Sequence, residues 1–96
     1  FMRDSFGVFQ GAPVWVKIKF TPAAAGYVKE KIWHPSQQLE IQPDGSLIFS
    51  AHLAGIEEIK IWVLKWGAAA TVLEPEQLRR QVAAEARCML DAYNMI

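Results

Sequence analysis

Long apolar runs, paired cysteines, clustered histidines and an excess of either charge are all missing from this 96-residue chain. No apolar stretch approaches the roughly 20 residues that a membrane-spanning helix requires, so no membrane partner is expected. A single cysteine, Cys88, rules out an internal disulfide and fits a reducing, cytoplasmic setting. It lies beside Met89 and Leu90 in a helical pattern, where packing along a helix flank accounts for it. His34 and His52 are the only histidines, and no Cys/His pair has zinc-ligand spacing, so no metal site is expected. There is no glycine-rich phosphate loop and no serine in a nucleophile-elbow context. Neither enzymatic activity nor a cofactor is therefore expected. Ten basic and ten acidic side chains cancel, whereas a free-standing nucleic-acid binder carries a basic excess to meet phosphates.

What the chain does have is a high apolar content, 52%, which places it among globular domains with one core. Its start, Phe1-Met2-Arg3-Asp4, lacks a signal-peptide pattern and reads as a beginning inside a longer protein. Residues 1–11 show no clean period. Residues 1–13 are expected to be a linker or the end of a preceding domain, and 14–93 the folded unit.

From Val14 to Phe20 the alternation is strict, with Val14, Val16, Ile18 and Phe20 on one face and Trp15, Lys17 and Lys19 on the other. That is the pattern of a half-buried strand. Thr21-Pro22 then opens a helix, a hydroxyl residue at the cap and proline in the first turn. Its core face is expected to hold Ala24, Ala25, Val28 and Ile32, and Pro35 should end it near Ile32 or Trp33. Residues 36–42 and 47–53 read as a hairpin, with Leu39 and Ile41 alternating against Gln38, Glu40 and Gln42. Pro43-Asp44-Gly45 supplies the corner and the left-handed position of its turn. A second helix is expected over 56–66, closed by Gly67. Ile56, Ile59, Trp62, Val63 and Trp66 form its core face, and Ile61 and Leu64 fall opposite, among Glu57, Glu58, Lys60 and Lys65. A short strand over 68–73 leads through Glu74-Pro75-Glu76 to a last helix. There Leu78, Val82, Ala86, Met89 and Tyr93 make a continuous stripe that should dock on something.

This order, strand, helix, strand, strand, helix, strand and an added helix, gives an α+β fold: a ferredoxin-like βαββαβ sandwich with an additional C-terminal helix. Both crossover helices cover one face of the sheet. The other face should display Trp15, Lys17, Lys19, Gln38, Glu40, Gln42, Ile48, Ser50 and His52.

Three stretches then carry a family resemblance: Trp33-His34-Pro35-Ser36-Gln37, Trp62-Val63-Leu64-Lys65-Trp66-Gly67, and Val72-Leu73-Glu74-Pro75-Glu76-Gln77-Leu78-Arg79. With Phe6-Gly7-Val8-Phe9 and the first strand before them, they resemble, over residues 5–93, the C-terminal extension (WCX) domain of WYL-domain bacterial transcriptional regulators. The resemblance implies a ferredoxin-like fold and a place after two other domains of the same chain, a DNA-binding helix-turn-helix and a WYL domain that senses an effector. It implies a regulatory, dimerisation and effector-response role, homodimerisation through the parent protein, and contact with DNA only through the N-terminal domain. The effector-binding residues of the WYL domain have no counterpart here.

Four features are weighed beside it. Trp15, Lys17 and Lys19 on the open sheet face fit the pattern of a small-molecule or single-stranded nucleic-acid platform, where rings stack on bases and lysines meet phosphates. The plain alternative is a solvated strand face covered by residues 1–9 or the last helix, with Glu40 pairing a lysine. Trp33, His34 and Gln37 fit the wall of a small-molecule pocket, and the plain alternative, which is favoured, is a plug at a helix end with the tryptophan packed over Pro35 and the hairpin. Arg79 and Arg80 stand in the first turn of the last helix, where the dipole disfavours cations, so they contact an acidic ligand or pair with Glu76 or Glu74. Ile61 and Leu64, apolar on an outer helix face between acids and lysines, are the interface candidates, with unlike charges meeting across a two-fold axis.

Overall fold

The computed structural model describes residues 13–96. The expected linker over 1–13 and the Phe6-Gly7-Val8-Phe9 motif lie, apart from Pro13, outside the described residues. Elements follow in the order β1 (Val14–Phe20), α1 (Pro22–Lys29), β2 (Gln38–Ile41), β3 (Leu47–Leu53), α2 (Glu57–Trp66), a 3-10 turn (Gly67–Ala69), β4 (Ala70–Glu74) and α3 (Glu76–Asn94). The strands form one four-stranded sheet in the order β2-β3-β1-β4. Every adjacent pair is antiparallel. The α+β, ferredoxin-like βαββαβ sandwich with an added C-terminal helix is therefore the fold of the chain.

Strand alternation sets the core. Val16, Ile18 and Phe20 of β1 and Leu47, Phe49, Ala51 and Leu53 of β3 are all buried on the helix-covered face. Ile59, Trp62 and Val63 of α2 pack onto them. The Trp62 ring lies 5.4 Å from that of Phe20, 5.2 Å from that of Phe49 and 4.9 Å from that of Trp33. Such ring pairs add to the burial that dominates folding stability.

The hairpin turn forms as its residues require. Gly45 N–H donates to the Gln42 carbonyl at 2.9 Å, and Gln42 N–H to the Ser46 carbonyl at 2.8 Å. Gly45 has φ +90°, a conformation that a side chain disfavours. Asp44 Oδ1 accepts from the Ser46 amide at 2.9 Å and its hydroxyl at 2.6 Å, which satisfies a buried serine. Those bonds hold the Asp44 carboxyl below its ordinary value.

Four expectations need correction. The first helix ends at Lys29 rather than near Ile32 or Trp33. The Gln37 side chain pins residues 31–37 in a loop, accepting from Trp33 N–H at 2.6 Å and donating to the Lys31 carbonyl at 3.2 Å. Ile32, expected on the core face, is consequently 76% exposed. Leu39 and Ile41 lie opposite Phe49 and Leu47 in register, so they are on the core side of the sheet. Both are nonetheless exposed, because the eight-residue α1 is too short to cover this edge strand. Finally, Gly67–Ala69 is a 3-10 turn, and the strand begins only at Ala70.

Candidate functional site

Two surfaces gather the residues singled out in the sequence, one on the uncovered sheet face and one beside α3.

On the sheet face, register places Trp15 opposite His52, Lys17 opposite Ser50, and Lys19 opposite Ile48. The Trp15 and His52 rings stack at 4.9 Å with their planes 13° apart, and Trp15 remains 51% exposed. Trp15, Lys17, Gln38, Ser50 and Glu74 surround a shallow depression of about 490 Å³. Glu74 lies opposite Lys17 across β4, and Glu40 beside Ile48 across β2. Two lysines and two carboxylates thus share the face and balance its charge. A phosphate backbone gains little there, whereas a flat ring with hydrogen-bonding edges finds both a stacking surface and polar partners.

The loop before β2 braces this face. Ser36 Oγ accepts from His52 N–H at 2.8 Å, and its hydroxyl lies 2.8 Å from His34 Nδ1. Ser36 N–H points at the same ring nitrogen at 3.1 Å, which makes Nδ1 the acceptor and leaves the proton on Nε2. His34 therefore connects through Ser36 to His52 and Trp15. Trp33 is turned inward: its Nε1–H donates to the Val28 carbonyl at 2.9 Å, and Lys31 Nζ sits 4.6 Å from the ring centroid. Gln37 Oε1 takes the Trp33 amide and, at 3.3 Å, that of His34. The polar groups of Trp33 and Gln37 are thus engaged in holding the loop.

The second surface is a groove of about 590 Å³ between the end of α2, β4 and α3. Leu64, half-buried, lines it; Ile61, 67% exposed, points away from the core on the outer side of α2. Val82, Ala83, Ala86 and Met89 form its α3 wall, and Arg79 closes one end. Arg79 Nε donates to Glu76 Oε1 at 3.0 Å, and Arg80 Nε to Glu76 Oε2 at 3.0 Å. These bonds hold the Glu76 carboxyl below its ordinary value and set an acid against the two cations at the positive end of the helix. Of the stripe along α3, Leu78 is buried and Val82 half-buried. Ala86, Met89 and Tyr93 are exposed, as is the neighbouring Leu90.

Among the described residues no three His, Cys, Asp or Glu side chains converge as metal ligands, and no helix is long and apolar enough to cross a membrane. A model of the WCX domain matches residues 12–90. The chain belongs to the WCX domain family. Family and fold agree with the resemblance read from the motifs. Among solved structures, this WCX domain is similar to proteasome accessory factor B/C (PafBC) of Arthrobacter aurescens, with a TM-score of 0.59 and 25% identity. The match covers 75% of this chain and 11% of that one. Comparison with curated proteins gives no match.

Sequence reasoning placed Trp15, Lys17, His52 and Ser50 on one face of this WCX domain, but it did not pair Trp15 with His52 or bring in Glu74. Period-2 alternation assigns faces, and only the register between strands decides which side chains stand opposite. The structure does not unite the candidates into one site. Arg79 belongs to the groove beside α3, while Trp15 and Lys17 belong to the sheet face.

Proposed function

We propose that this WCX domain is the dimerisation and effector-response module of a cytoplasmic WYL-type transcription regulator. In this reading it works beside the WYL and helix-turn-helix domains of the same chain, and DNA is contacted only by the latter. The observation that carries the reading is apolar side chains left uncovered by their own chain: Leu64 in the groove with the α3 stripe beyond Val82, and Ile61 on the outer face of α2. Exposed apolar surface that forms a patch marks contact sites. Glu57 and Lys65 stand four residues to either side of Ile61, so a two-fold pairing on that face sets each acid against the partner's lysine. Light scattering over a range of concentrations tests the reading. A dimer whose mass falls on Ile61→Lys or Leu64→Lys supports it, and a monomer at every concentration contradicts it.

A second reading rests on the Trp15–His52 stack and the polar depression beside it. Here the sheet face takes a flat, hydrogen-bonding small molecule such as a nucleobase, alone or within a single strand. Titration with mononucleotides and short single strands, followed by tryptophan fluorescence, separates the two. Binding abolished by Trp15→Ala and weakened by Lys17→Ala with Lys19→Ala supports it; unchanged fluorescence at millimolar ligand counts against it.

A further inference from the structure

We propose that the depression on the uncovered sheet face selects a ring carrying the 2-amino-4-oxopyrimidine edge, the edge that guanine presents. The inference rests on the second reading above and names the ring that the face takes. β4 pairs with β1 only from Lys17 to Phe20, so no strand stands beside Trp15 on that side. His52 covers one face of the Trp15 indole, and among the described residues no ring covers the other. The two near-parallel rings stand 4.9 Å apart on neighbouring strands, close to the strand spacing of about 4.8 Å. Their stacking axis therefore runs across the strands, and a third flat ring continues the stack on the β4 side.

The edge of that ring meets the next row of side chains on the same face. Gln38, Ser50, Lys17 and Glu74 stand opposite one another in turn across β2, β3, β1 and β4, and all four line the depression with Trp15. Lys17 and Glu74 are the pair on the β4 side. Among the described residues neither forms an ion pair, so an ammonium and a carboxylate keep their hydrogen bonds for a ligand. Their charges cancel, which favours a neutral ring over a phosphate. A carboxylate takes two adjacent N–H donors, and an ammonium takes the carbonyl oxygen beside them. Guanine offers this run along one edge: O6 as acceptor, then N1–H and the 2-amino group as donors. Adenine and cytosine set a bare ring nitrogen against the carboxylate, uracil offers one donor between two acceptors, and hypoxanthine lacks the amine.

Nucleotides that differ in single groups test the edge. Guanosine, inosine and adenosine 5′-monophosphates are titrated into the chain, and binding is read from the tryptophan indole N–H resonances, with Trp15→Leu to assign that of Trp15. The guanosine nucleotide should bind about tenfold more tightly than the inosine nucleotide, which forgoes one charge-assisted hydrogen bond, and adenosine should bind more weakly still. Glu74→Gln should bring guanosine down to the level of inosine. Lys17→Met should weaken both alike, since both carry O6. A soluble pterin has the same edge without ribose or phosphate and should lose affinity in the same two variants. Whichever of the pterin and the guanosine nucleotide binds more tightly names the source of the ring, and either result supports the assignment. Equal binding of the guanosine and inosine nucleotides, or a preference that survives Glu74→Gln, overturns the edge and leaves the stacking reading standing. A Trp15 resonance unmoved by every nucleotide at millimolar concentration overturns both. Glu74 is exposed and Lys17 half-buried, and the resonances of the other three tryptophans verify that each variant keeps the fold.

Discussion

Helices α2 and α3 carry the same sequence signal, an apolar stripe at helical spacing, and meet different fates. The stripe of α2 closes on the sheet of its own chain: Ile59, Trp62 and Val63 are buried, and Trp62 touches the rings of Phe20, Phe49, Trp33 and Trp66. That of α3 closes only through Leu78 and partly through Val82, although the helix has nineteen residues and runs about 28 Å. Periodicity identifies which side of a helix avoids water. It says nothing of whether the covering surface belongs to the same molecule.

The comparison is broken most strongly at Trp62. Replacing it by alanine opens a cavity among aromatic rings and should remove about 3–5 kcal/mol of stability, read from the denaturant midpoint. Leu78→Ala should cost roughly 2–5 kcal/mol, because this is the α3 residue that behaves like those of α2. Met89→Lys, eleven positions further along the same helix, should change stability by less than about 0.5 kcal/mol while lowering self-association. An equal stability loss at Leu78 and Met89 would erase the distinction between the docked and the free part of α3.

Loop and turn contacts give smaller effects. Gln37→Ala leaves the Trp33 and His34 amides without their acceptor and should remove about 1–2 kcal/mol, in the sandwich rather than in α3. The Asp44 carboxyl is held below its ordinary value of 3.8, so its contribution is fully present above that pH and is lost below it, as the pH falls through the lowered value of the folded chain. Thermal unfolding of the chain and of Asp44→Asn should therefore differ near neutrality and converge in acid; a constant difference would contradict this account of the turn.

How far the sequence could be read follows the same division between local and non-local causes. Alternation and the Pro43-Asp44-Gly45 corner made the hairpin legible, and the order of elements yielded the sandwich, because these signals are local. The end of α1 was not legible. It is set by a side-chain clamp from Gln37, eight residues beyond the helix, rather than by Pro35 alone. The exposure of Leu39 and Ile41 follows from that early stop, since their alternation is intact and only the cover is missing. Of the candidate sites, the open sheet face was legible as a set of residues but not as the Trp15–His52 stack, which depends on strand register. The pairing of Arg79 and Arg80 with Glu76 was one of the readings left open by three- and four-residue helical spacing.

The most direct test of the claim that α3 carries a partner surface is amide hydrogen exchange of the unmodified chain at low and high protein concentration. The account predicts that protection over residues 83–94 and around the groove at Leu64 and Thr71 rises with concentration, while protection of β1, β3 and the buried face of α2 stays constant. An exchange pattern identical at all concentrations would contradict it.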